Sequence, residues 1–167
     1  CENVTSWDVD EVISTIFVIL TSESAAFLDK EINKNPTNYG GDVRQFVEMG
    51  KGFSSVDYIN AQRARNVITQ KVDNLFDRYD FLLSPAQLIG PPSPDNETIK
   101  INGEELPRDI NLIKPLVLSS LCGYPSISIP FNKMKNGQYF SVQIIGRRNS
   151  DNKLMDFAKL LEKEFDL

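Results

Sequence analysis

Histidine is absent from all 167 residues. Every mechanism that needs an imidazole within this chain is thereby excluded, Ser-His-Asp and Cys-His catalysis among them, together with the commonest zinc sites. Cysteine is nearly absent. Cys1 and Cys122 are too few for a disulfide framework or a paired-cysteine metal knuckle, which points to a reducing, cytoplasmic compartment and to no metal. There is no basic run, and 18 Lys and Arg against 23 Asp and Glu leave a formal charge of −5. Neither nucleic acid nor an anionic membrane is therefore expected as a partner. The most apolar run, Val12 to Leu20, contains Ser14 and Thr15 and is about half the length that spans a bilayer, so a core helix is expected there. The sequons Asn3-Val4-Thr5 and Asn96-Glu97-Thr98 have no secretory signal beside them and read as ordinary loop. The chain opens on Cys1 rather than methionine, as a processed or truncated product would.

What is present is the balance of a soluble globular protein, 41% apolar and 25% charged residues, read as a single domain over 1–167. Val9, Val12, Ile13, Ile16 and Phe17 recur at helical spacing behind the cap residue Asp8, and the pattern continues through Leu28 and Ile32 to the stop at Asn35-Pro36. A turn at residues 38–41 leads to a short helix closed by Gly50. Ser54 with Asp57 three residues on predicts a capped helix running to about Arg78, with Ala64, Val67, Ile68, Val72, Leu75, Phe76 and Tyr79 along one face. Phe81-Leu82-Leu83 predicts a strand, residues 91–94 an extended proline loop, and Thr98 to Ile101 before Asn102-Gly103 a small hairpin. A helix capped by Asp109 should run through Leu112, Leu116 and Leu121 to Gly123, with Pro115 in its first turn or bending it. Tyr124 to Pro130 and Tyr139 to Ile145 read as strands joined by a turn at Asn136-Gly137. Ser150 or Asp151 caps a last helix that buries Leu154, Phe157, Ala158, Leu161 and Phe165. The class is α/β, with helices packed on a partial sheet of few strands.

Three blocks then stand in a fixed order. The first is Tyr39-Gly40-Gly41-Asp42-Val43-Arg44, followed by Met49-Gly50, Asp57-Tyr58 and Tyr79-Asp80-Phe81-Leu82-Leu83-Ser84-Pro85. The second is Gly123-Tyr124-Pro125-Ser126-Ile127-Ser128-Ile129-Pro130, and the third Val142-Gln143-Ile144-Ile145-Gly146-Arg147. Over nearly the whole chain these resemble the last third of amidase-signature enzymes. The resemblance implies the carboxy-terminal part of that fold, with a partial mixed sheet. It also implies a parent enzyme that hydrolyses carboxamides through a serine, with the proton relayed by a second serine to a neutral lysine. In that family the lysine, the glycine-serine-rich loop and the nucleophile lie upstream of the matched region. No catalytic residue is therefore expected within 1–167, and the chain alone is expected to be inactive.

Look-alikes have plainer readings. Ser119-Ser120 and Lys114 are wrongly spaced on a helix to form a relay. Arg147-Arg148 reads as surface charge rather than a carboxylate clamp. Asp8, Asp10 and Glu11 read as helix-start acids rather than metal ligands, and Gln143, inside an apolar strand, as bracing backbone rather than contacting substrate. By resemblance, the substrate cleft is bordered by Ile113, Leu116, Val117 and Ser120, with Gln87 and Leu88 in a loop as a second wall. An amide is the implied substrate, and no cofactor or metal is implied. A homodimer or a partner chain would cover exposed faces, and a non-catalytic docking module is the alternative from outside enzymology. Within the family, the glutamine-hydrolysing component of glutamyl-tRNA amidotransferase usually carries two arginines where Gln45-Phe46 stand and an acid near Ile113, so a general amidase is the better fit.

Overall fold

The computed structural model describes residues 2–4, 7–133, 137 and 139–165; Cys1, Thr5 of the first sequon and Asn136 of the expected turn lie outside them. The sequence reading takes the chain as one domain. By packing it divides into two compact units, 1–71 and 72–167.

The first unit holds α1 (Val9–Lys34), α2 (Gly41–Lys51) and most of α3 (Ser55–Asp73). Asp8 caps α1 as expected, its carboxylate accepting from the backbone N–H of Asp10 at 2.8 Å. The helix ends at a 3-10 turn opened by Pro36. It extends well beyond the Val12 to Leu20 run, and by length and composition it is long and apolar enough to cross a membrane. α1 buries Val12, Ile13, Ile19, Ala25 and Ile32. Ala25 and Ile32 pack with Val47 of α2, flanked by Leu28 and Tyr39, and Phe17 meets Phe46 edge-on at 5.7 Å. Lys51 joins the two helices through Asp29 at 3.0 Å, and its hydrogen bond holds the Asp29 carboxyl below the usual carboxylate range.

Ser54 and Asp57 form the reciprocal cap that their spacing predicts. The Asp57 N–H donates to Ser54 Oγ at 3.2 Å, and the Asp57 carboxylate accepts from Ser54 N at 2.8 Å and Ser54 Oγ at 2.7 Å. Those bonds lower the Asp57 pKa from its ordinary 3.8. A folded-state pKa below the unfolded one means that this cap's contribution is complete above pH 3.8 and fades as pH falls through the folded value. A carbon-detected NMR titration should place the Asp57 midpoint below 3.8, and Ser54→Ala should move it back up; an unchanged midpoint in the variant would contradict the assignment.

α3 stops at Asp73, short of Arg78, because the chain tightens into a 3-10 turn at Leu75–Asp77. Arg78 N and Tyr79 N both reach the Leu75 carbonyl at 2.9 Å, and Phe76 stays buried. The second unit continues with β1 (Phe81–Pro85), β2 (Thr98–Ile101), β3 (Glu104–Pro107), α4 (Arg108–Ile113), α5 (Val117–Cys122), β4 (Ser126–Lys133), β5 (Tyr139–Gly146) and α6 (Asp151–Phe165). The main sheet has the order β1-β5-β4. It is the few-stranded sheet expected, but both of its pairings are antiparallel where a mixed sheet was implied. β2 and β3 form the Asn-Gly hairpin, Asn102 at φ 52° and Gly103 at φ 89° giving the two left-handed residues that such a turn needs.

The helix expected from Asp109 to Leu121 is two helices. Pro115 has no N–H and its ring crowds the preceding turn, so the chain breaks after Ile113 and Leu116 N bonds to the Ile113 carbonyl at 2.8 Å. Asp109 sits in the first turn of α4, and Pro107 takes the cap position. Gly123, at φ 71°, closes α5; its N–H and that of Tyr124 converge on the Ser119 carbonyl at 2.9 and 3.0 Å. β4 runs past Pro130 to Lys133 with a register shift between Pro130 and Asn132. A sheet-edge strand tolerates the missing N–H in this way.

Alternation along the strands gives the sheet two unlike faces. On one, Ile129 and Ile144 pack under Leu154 and Ala158 of α6, with Phe81, Ile127, Phe157 and Leu161 around them; Phe81 and Phe157 stack at 4.4 Å. Phe165, expected on the inner side of α6, is half exposed and lies beside Phe131 at 5.1 Å. The opposite face carries Leu82 and Ile145, then the cross-strand row Ser84, Gln143 and Ser128.

Candidate functional site

The polar face of the sheet holds a directed chain of hydrogen bonds. Ser84 Oγ at the end of β1 donates to Gln143 Oε1 at 3.1 Å, Gln143 Nε2 donates to Ser119 Oγ of α5 at 3.1 Å, and Ser119 Oγ donates to the Leu116 carbonyl at 3.0 Å. Ser126 Oγ of β4 stands 3.4 Å from Ser119 Oγ. Gln143 and Ser119 are both buried, so each bond forms where an unpaired group would cost about 1–3 kcal/mol. Gln143 is expected to brace backbone; its carboxamide instead bonds side chains from two other elements. Ser119 spends its proton on a backbone carbonyl and accepts from an amide, which is the bonding of a structural hydroxyl.

The residues expected to line a cleft are placed as follows. Ser120 is exposed and Leu116 half-buried at the two ends of one turn of α5. Ile113, at 47% exposure, ends α4. Val117, at 5%, is buried, as are Leu118 and Leu121. Gln87 reaches the Tyr139 carbonyl at 3.4 Å, and Leu88 beside it is exposed. Ser84 and Ser119 thus tie the root of the Gln87 loop and the Leu116–Ser120 turn to one glutamine. Ile113 and Leu88 stand at the solvent-facing margins of those two segments.

Arg147 and Arg148 are surface residues, each engaged by a carboxylate: Arg147 by Asp77 and Arg148 by Asp73. Lys153 pairs with Asp80 at 2.6 Å. Asp73 also accepts from the buried Tyr124 hydroxyl at 2.8 Å. Burial, with this bond to a carboxylate, pushes the phenol pKa up. Sequence reasoning missed this set: α3 ends at Asp73, so Asp73, Asp77 and Asp80 share no helical face, and their basic partners lie 70 to 75 residues away in the chain. Asp8, Asp10 and Glu11 keep their place at the start of α1, and no cluster able to hold a metal occurs among the described residues.

Besides Tyr124, the buried polar side chains among the described residues include Thr15, Thr21, Thr69, Asn111, Ser119 and Gln143, all of them neutral. These features define an α/β protein with a helix-covered sheet whose second face joins the apolar pair Leu82 and Ile145 to a row of hydroxyl and amide groups. The amidase family model matches residues 2–155, and the chain belongs to the amidase family. It is 26% identical to the A-type component of the glutamyl-tRNA(Gln) amidotransferase of Aliarcobacter butzleri, over 93% of this chain and 38% of that protein. It is 24% identical to the fatty acid amide hydrolase of Medicago truncatula, over 93% of this chain and 26% of that one. Among solved structures it superposes on an amidase with a TM-score of 0.87 at 22% identity, covering 94% of this chain and 36% of the other. The corresponding values for the amidotransferase component from Thermotoga maritima are 0.56 and 25%, covering 96% and 34%. The chain therefore spans well under half the length of the proteins it matches.

Proposed function

We propose that this chain forms the carboxy-terminal, substrate-facing part of an amidase that cleaves a carboxamide to a carboxylate and ammonia or an amine, with the catalytic residues outside 1–167. The observation that carries this reading is the family match over residues 2–155, joined to coverage of 38% of a relative's length. In the proposed chemistry a serine hydroxyl attacks the amide carbonyl and passes its proton through a second serine to a lysine kept neutral by burial. The amine leaves with a proton, and water then releases the acyl group. A base of this kind is consistent with a chain that has no histidine. Leu116, Ser120 and Ile113 would form one wall of the cleft, with Val117 behind them, and Gln87 and Leu88 the other. These residues carry no charge, which suits a neutral or aromatic amide better than a charged one. Few cysteines and no disulfide framework support a reducing, cytoplasmic setting.

Ammonia release from simple amides tests the reading. Residues 1–167 alone should give no turnover above buffer, whereas the full natural protein that carries them should hydrolyse an aromatic amide. Turnover by residues 1–167 would sink the assignment.

Glutamine hydrolysis, in the manner of the amidotransferase, is favoured by the 26% identity over 93% of the chain. Against it, Phe46 packs on Phe17 where that reading wants arginines, and the fold agreement is poorer, 0.56 against 0.87. A higher kcat/KM for glutamine than for benzamide would reverse the preference. Exposed apolar side chains on α1, Leu20 and Phe27, the latter at 84% exposure, support a further covering chain, whether a second copy or a partner. A non-catalytic docking module would use the same surfaces.

A further inference from the structure

We infer that Gln143 is a positioning residue that sets the register between the two substrate-facing segments, the loop beginning at Ser84 and the α5 turn from Leu116 to Ser120. This rests on the reading that those segments border the amide cleft. Ser84 and Ser119 are 59 and 24 residues from Gln143 in the chain, yet each meets one end of its carboxamide at 3.1 Å. Donors and acceptors all run in one direction, Ser84 to Gln143 to Ser119 to the Leu116 carbonyl, and such chains strengthen cooperatively. A carboxamide is the group the position calls for: Ser119 gives its proton to Leu116 and can only accept, and Ser84 donates, so residue 143 must accept at one atom and donate at the other. Glutamate lacks the donor, and leucine lacks both functions.

The burial of Gln143 at 4% keeps it from touching substrate, so it acts through the backbone it holds. Ser84 is three residues before Gln87. Ser119 adjoins Ser120 and anchors the carbonyl of Leu116, at the start of α5. The strand carrying Gln143 is itself fixed from the other face by α6 through Ile144, which makes it a rigid post for two segments that have only short regular structure of their own.

Steady-state kinetics in the full natural protein with acetamide and benzamide tests this, together with amide hydrogen exchange. Gln143→Leu should raise KM for benzamide about tenfold or more, leaving kcat within about threefold and KM for acetamide within about threefold. Ser84→Ala and Ser119→Ala should each raise KM for benzamide about threefold, Gln143→Glu should resemble Ser119→Ala, and adding Ser119→Ala to Gln143→Leu should change little further. In Gln143→Leu, residues 84–89 and 116–120 should exchange about tenfold faster while α6 keeps its protection. Benzamide KM within twofold of wild type in Gln143→Leu and in both serine variants, or exchange raised equally in α6, would overturn the inference. Should Gln143→Leu fail to fold, the two serine variants decide by the same criteria. If the wild type hydrolyses neither amide, the functional reading fails, and the exchange comparison alone decides whether Gln143 holds the two segments.

Discussion

Gly50→Ala should destabilise the α1–α2 unit by about 1–2 kcal/mol, although alanine is the better helix former. A Cβ built at Gly50 falls 1.9 Å from the Thr21 carbonyl oxygen, 2.4 Å from its carbon and 3.0 Å from Ser22 N. The obstruction is backbone in the middle of α1, not a side-chain tip that could rotate away, and Thr21 is fully buried. Overpacking of this kind costs about 1–3 kcal/mol and occasionally more, set against roughly 1 kcal/mol gained in helix propensity; the helices must therefore part, and the contact of Ala25 and Ile32 with Val47 opens with them. Gly41→Ala is the control, because its nearest neighbour would be the Arg44 guanidinium at 3.9 Å, and it should be neutral or stabilising by up to about 1 kcal/mol. Chemical denaturation of the full natural protein, with hydrogen exchange in α1 and α2 to locate the loss, checks the pair. Equal stability of the two variants would remove the close-approach argument.

Ile144→Ala should cost about 2–5 kcal/mol. Ile144 is 1% exposed at the centre of β5, packed with Ile129, Leu154 and Ala158, and truncation there loses transfer energy and leaves a cavity between sheet and helix. Leu83 is its direct cross-strand partner but is 52% exposed, so Leu83→Ala in the same row should cost no more than about 1 kcal/mol. The comparison separates burial under α6 from membership of the strand row. Similar losses at the two positions, measured by denaturant midpoint, would show that the sheet and not the α6 interface governs stability here. Protection in β5 should fall with Ile144→Ala, and the Gln143 brace should weaken with it.

Much of this was legible locally. Asp8, the Ser54 and Asp57 pair, Asn102-Gly103 and Gly123 act where their neighbours predict, because caps and tight turns are closed by groups two to five residues away. The apolar period of α6 named Leu154 and Ala158 correctly for the same reason. Gly50 is expected to close a helix but lies inside α2, which runs to Lys51 with Gly52 as its C-cap; its more demanding role, the approach to Thr21, lies 29 residues away in the chain. Val117 has the composition of a cleft residue and the burial of a core residue, and periodicity on a six-residue helix is too short to tell the two apart. Arg147 and Arg148 read rightly as surface charge, while their partners Asp77 and Asp73 required the fold.

By itself, then, the sequence determined the local elements, the absence of imidazole chemistry from this chain, and, through three ordered blocks, the family. Only the tertiary structure decided that the sheet is antiparallel, that Pro115 divides one helix into two, that Gly50 admits no side chain, and that Gln143 spends its carboxamide on Ser84 and Ser119. For the sheet, Gly50 and Gln143 the reason is shared: each depends on which distant backbone or side-chain group occupies the neighbouring volume, and a residue's own spacing and chemistry state only that some partner is needed. For Pro115 the cause is local, the missing N–H and the ring, but the helical period alone leaves open whether the chain bends or breaks there.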